Sequence, residues 1–142
     1  MNFEPVKFLI VDDDEVSVMK IMRAIKKANF ANPVLVAKDG IEALEILRGD
    51  KDHERLTPPY IVTLDISMPR MDGHEFLQEI RGDERLKNVV VFVLTTSDNE
   101  VDISSAYDQN VAGYILKERS EESLLEKVSM IESFSSLVIL PN

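Results

Sequence analysis

With 142 residues, 44% of them hydrophobic, the chain can fill one core and is too short for two. Its 16 Lys and Arg against 26 Asp and Glu leave a formal net charge of -10, which repels a nucleic-acid backbone and argues against direct DNA or RNA binding. Cysteine is absent, which excludes disulfides, thiolate metal sites and a cysteine nucleophile, and fits a reducing compartment such as the cytoplasm.

The N-terminus carries Glu4 and Pro5 and lacks the apolar run of a signal peptide. Lys7 to Val11 is a short apolar run stopped by acids and reads as a buried strand. Val18, Ile21, Met22, Ile25 and Ala28 follow at helical spacing, with Asp14 and Glu15 suited to the cap and first turn. A second strand, Val34 to Ala37, leads to a helix marked by Ile41, Ala43, Leu44 and Leu47. Gly49 to Pro59 reads as a solvated connection to the third strand, Tyr60 to Leu64. A helix with Phe76, Leu77 and Ile80 precedes the fourth strand, Val89 to Leu94, which is the longest apolar run and far too short to span a bilayer. Val101, Ile103, Ala106 and Tyr107 predict a fourth helix, and Gly113 to Leu116 a short fifth strand. The last helix begins near Glu121, with Ser120 as its cap, and lines up Leu124, Leu125, Val128, Ile131 and Phe134.

Strands alternating with helices in this way predict an α/β fold of the flavodoxin-like class, a five-stranded parallel (βα)5 sheet covered on both faces. Such sheets bind ligands beyond the carboxyl ends of their strands, where residues distant in sequence converge. Those positions are polar here: Asp12, Asp13 and Asp14 after the first strand, Asp65 after the third, Thr95 after the fourth and Lys117 after the fifth. Clustered carboxylates need a cation or raised pKa values, and oxygen-only ligands select a hard ion such as Mg2+, with Asp13 and Asp65 as its nearest ligands. One carboxylate, best Asp65, can then attack phosphorus to form an aspartyl phosphate, while Lys117 and the Thr95 hydroxyl bind phosphoryl oxygens.

Phe8-Leu-Ile-Val-Asp-Asp-Asp14, Leu64-Asp-Ile-Ser-Met-Pro-Arg-Met-Asp-Gly73, Val93-Leu-Thr95 and Gly113-Tyr-Ile-Leu-Lys117 resemble the receiver domains of two-component signalling. The resemblance covers nearly the whole chain and treats residues 1–142 as one receiver. It implies that Asp12 and Asp13 hold Mg2+, that the Ser67 backbone carbonyl completes the metal shell, and that Asp65 accepts phosphate from a histidine kinase. Thr95 and Tyr114 would form the switch pair, the hydroxyl moving toward the phosphoryl group and the ring turning inward. Only self-phosphotransfer and autodephosphorylation are expected of such a protein. Glu118 stands where the family usually has proline, and Thr96 where it often has Ala or Gly. Together with Leu56-Thr-Pro-Pro-Tyr60, these features resemble the single-domain receivers paired with phytochrome-type kinases.

The apolar tail, 134–142, is expected either to form a homodimer interface or to carry the last helix onto the core. Asp12-x-Asp14 also mimics the nucleophile motif of haloacid dehalogenase-type phosphatases, with Asp12 attacking, but that reading gives Asp65 and Met68 to Gly73 no role. A binding module that keeps the fold without being phosphorylated is a further alternative, opposed by the complete set of acids, Thr and Lys. His53 and His74 lack partner spacing for zinc and read as surface residues.

Overall fold

Five apolar runs become five parallel strands: β1 (Lys7–Val11), β2 (Val34–Ala37), β3 (Tyr60–Leu64), β4 (Val90–Thr95) and β5 (Gly113–Leu116). They pair in the order β2-β1-β3-β4-β5. The helices between and after them are α1 (Glu15–Lys27), α2 (Gly40–Arg48), α3 (Gly73–Arg81), α4 (Glu100–Asp108) and α5 (Glu121–Leu137). This architecture is the flavodoxin-like sandwich expected from the sequence. The structure is a computed structural model that describes residues 5–117 and 121–142, so the expected Ser120 cap and the Glu118 departure lie outside the described residues. No helix among the described residues is long and apolar enough to cross a membrane.

Alternation along the strands sorts the core into two layers. Leu9, Val11, Val62, Leu64, Val91 and Val93 face α2, α3 and α4, and there Phe76, Leu77 and Ile80 are fully buried. The opposite face presents Ile10 and Leu94 to α1 and α5, and Phe8, Ile61 and Phe92 to Ile131 near the end of α5. Short polar side chains start the helices: Asp14 accepts from the Val16 N–H, Asp39 from Glu42, Asn99 from Val101, and Asp72 forms a reciprocal cap with Glu75.

The structure corrects four local expectations. β4 is shifted by one residue, so Thr95 is the last residue of the strand. In α1 the buried positions are Ile21 and Ala24, whereas Met22 faces out. Of the four apolar residues expected to pack α4, only Ala106 is buried, and Val101 is 72% exposed. The connection from Gly49 to Pro59 is not merely solvated, because Leu56 enters the core and its N–H donates to the Ile46 carbonyl.

Candidate functional site

The strand register dictates which side chains meet. Val11 lies beside Leu64, Leu64 beside Val93, and Thr95 beside Leu116, so the residues that follow emerge at one edge. The chain stays paired slightly beyond the strands: the Asp65 N–H donates to the Val11 carbonyl at 2.9 Å and the Lys117 N–H to the Thr95 carbonyl at 2.7 Å. As a result Asp12, Asp13 and Asp65 each place a carboxylate oxygen within 4.8 Å of the others. Asp12 and Asp65 are buried and Asp13 is exposed, so the cluster opens to solvent at Asp13.

Lys117 closes the inner side. Its Nζ lies 2.7 Å from Asp12 Oδ2, 3.3 Å from Asp65 Oδ2 and 3.2 Å from the Ser17 hydroxyl. Burial alone would lower the Lys117 pKa, but its hydrogen bond to Asp12 and the charges of Asp65 and Asp12 outweigh burial and hold it above the ordinary lysine value. Burial pushes the Asp12 carboxyl up, against the opposing hydrogen bonds from Lys117 and the Asp14 N–H, and the neighbouring Asp65 charge adds to the rise. Three carboxylates facing one ammonium are therefore short of positive charge. An all-oxygen donor set with that deficit and one open side fits a hard divalent cation such as Mg2+.

Thr95 is fully buried and donates its hydroxyl to Asp65 Oδ1 at 2.8 Å, while the Ser67 N–H reaches the same oxygen at 3.2 Å. The two oxygens of Asp65 thus have different partners, hydroxyl and amide on Oδ1, ammonium on Oδ2. Tyr114 is half-buried against the core, and its hydroxyl donates to the Ser97 carbonyl at 2.8 Å. Thr96 is exposed beside the site. Asp14 does not join the cluster: it is exposed and accepts from the Val16 N–H and the Ser17 hydroxyl as the cap of α1. That removes the second acid on which the Asp12-x-Asp14 phosphatase reading depends.

The loop after β3 is braced from α2. Arg70, with a left-handed backbone (φ 64°), places Nε 2.7 Å from the buried Asp39 carboxylate, and an added Cβ at Gly40 would meet Met71 Cγ at 2.8 Å. Sequence reasoning missed this brace, as it missed Ser17, whose position three residues after its cap Asp14 was the available signal. It also misjudged His74. Rather than lying free on the surface, the ring is half-buried with Nε2 2.9 Å from Asp102 Oδ1, because α3 and α4 pack side by side. His53 is half-buried as well, in the connection before β3.

Comparison with known proteins agrees with this geometry. Residues 8–129 match the response regulator receiver domain. The response regulator Rcp1 of Synechocystis sp. is 32% identical over 130 residues, covering 92% of this chain and 88% of Rcp1. The probable methanogenesis regulatory protein FilR2 of Methanothrix harundinacea is 37% identical over 131 residues, covering 92% and 84% of the two chains. Among solved structures, the phosphorylated cyanobacterial phytochrome response regulator RcpA superposes with a TM-score of 0.89 at 34% identity, over 98% of this chain and 100% of RcpA. The Mn2+-bound form of Rcp1 gives 0.86 at 32% identity, over 97% and 100%.

Proposed function

Because the chain belongs to the receiver domain family of response regulators, signalling proteins of two-component phosphorelays, we propose that Asp65 is its phosphoacceptor. Thr95 and Lys117 are its partners in transfer. The observation that carries this reading is the convergence of the Thr95 hydroxyl and the Lys117 ammonium on different oxygens of one carboxylate, 30 and 52 residues away in sequence.

In the transfer, an Asp65 oxygen attacks phosphorus of the donor phosphohistidine, the phosphorus–nitrogen bond breaks, and the imidazole leaves with its electron pair. Lys117 pairs with the phosphoryl oxygens as a point charge, and Thr95 turns its hydroxyl from the carboxylate to one of them. Mg2+ is the cofactor of the family's acidic pocket; here Asp12, Asp13 and Asp65, with the Ser67 carbonyl, would hold it, and it would supply positive charge for the equatorial oxygens. The only other chemistry assigned to the chain is hydrolysis of the aspartyl phosphate, in which water attacks phosphorus, the Asp65 carboxylate leaves and inorganic phosphate is released. With acetyl phosphate and Mg2+, the intact mass should rise by one phosphoryl group, and Asp65→Asn should abolish the gain. Labelling that survives Asp65→Asn but is lost in Asp12→Asn would reject this assignment.

Signalling then follows from the coupling of Thr95 to Tyr114, the residue with an apolar body and a polar tip that can sit inward or outward at modest energetic difference. Receivers of this family pair with histidine kinases, and the likeness to RcpA and Rcp1 supports a phytochrome-type kinase as the donor. Such a donor uses ATP, which supports a cytoplasmic location for the chain.

Residues 1–142 form one receiver in this reading, and its tail, 134–142, both packs on the core and offers a surface to a second copy. Leu140 packs against the cluster of Phe8, Ile61, Phe92 and Ile131, whereas Leu137 and Ile139 are 83% and 95% exposed. Replacing Leu137 and Ile139 together by Ser should convert a dimer to a monomer in sedimentation, and an unchanged molar mass would reject the dimer.

A further inference from the structure

A chain of polar side chains outside the metal and phosphoryl residues joins α3 to α4 and ends on the switch segment. His74, in the first turn of α3, places Nε2 2.9 Å from Asp102 Oδ1 on α4. Ser97, between β4 and α4, donates its hydroxyl to the other oxygen, Asp102 Oδ2, at 2.6 Å. The Ser97 N–H lies 3.4 Å from Thr95 Oγ1, and the Ser97 carbonyl accepts the Tyr114 hydroxyl. Both members of the switch pair therefore hang on Ser97, and Ser97 hangs on Asp102.

The clamp has no other evident task. α3 already has its own cap in Asp72 and Glu75, and α4 has Asn99. His74 Nδ1 is buried without a hydrogen-bond partner, and Nε2 faces a carboxylate, so Nε2 is the donor and the ring's one polar contact among the described residues goes to Asp102. The Ser97 hydroxyl and His74 hold the Asp102 carboxyl below the ordinary aspartate range, which keeps it an ionised acceptor for both. Around Ser97 the connection is exposed at Thr96, Asp98 and Asn99, and besides Asp102 the Ser97 hydroxyl meets only the Asn99 N–H, at 3.4 Å, among the described residues.

We propose that His74 and Asp102 are positioning residues for phosphoryl transfer at Asp65: they hold Ser97 so that the Thr95 hydroxyl stays on the acceptor and Tyr114 stays turned in. This rests on the reading of Asp65 as phosphoacceptor. Without the clamp the competent arrangement is less populated, and the apparent affinity for a phosphoryl mimic falls by the same fraction.

The test is a titration with beryllofluoride at saturating Mg2+, followed by NMR. Asp102→Ala and His74→Leu should bind about threefold to tenfold more weakly than wild type, the range expected for coupling through packed side chains. His74→Gln keeps an N–H donor at the position of Nε2 and should restore binding, while Mg2+ affinity, measured separately, stays unchanged in all three. Ser97→Ala guards against a variant that fails to fold: it should show the same loss, and Ser97→Ala with Asp102→Ala no more than either alone. Unchanged affinity in Asp102→Ala and His74→Leu overturns the clamp, as does additive loss in the double variant. Wild-type protein that binds no beryllofluoride would instead overturn the assignment of Asp65 and the clamp with it.

Discussion

The two edges of the sheet treat charge in opposite ways. Where the strands begin, two cations reach the main chain: Arg81 donates to the carbonyls of Gln109, Lys87, Val89 and Asn110, and Lys7 donates to the Thr57 carbonyl. Where the strands end, three carboxylates gather with only Lys117 paired to two of them, and they are left short of positive charge. The first edge holds these cations on acceptors within the chain, which stabilises the fold. The second is left with an excess of negative charge, which suits it to a divalent cation.

Separating the edges by substitution sharpens that contrast. The largest effect should come from Lys117→Met, which removes the ammonium from both Asp12 and Asp65: the initial rate of labelling by acetyl phosphate should fall roughly a hundredfold, the scale for losing one donor to developing charge. Mg2+ should bind more tightly to this variant, because a positive neighbour is gone, and isothermal titration can read that sign. At the other edge, Arg81→Met strands several carbonyls at once and should lower unfolding stability by about 2–3 kcal/mol in urea, with labelling at saturating acetyl phosphate unchanged. A smaller effect is expected from Mg2+ itself: at ten times its Kd it should raise stability by about 1.4 kcal/mol, equally in wild type and in Arg81→Met. A stability gain that depends on Arg81 would break the separation of the two edges.

The parts that were legible in the sequence are those where one residue type answers to one local rule. Five apolar runs declared the strands, and Asp12, Asp13, Asp65 and Lys117, each just beyond a strand, declared the acidic edge. The fourth helix was harder to read, because Val101 and Tyr107 carry an apolar pattern that faces water while Ala106 alone is buried. Arg81 was invisible because its acceptors are backbone carbonyls, which any sequence supplies. The link from His74 to Asp102 spans 28 residues and depends on how α3 lies against α4, which periodicity within either helix does not contain. Arg70 adopts a positive φ for a similar reason, since the Asp39 that holds it belongs to α2.

The contact between Lys117 and Asp12 joins residues 105 positions apart. During synthesis Asp12 and then Asp65 leave the ribosome before the lysine that balances them, so the acidic edge gains its counter-charge only when β5 has been laid against β4. A product cut short anywhere upstream would hold the acids without their counter-charge.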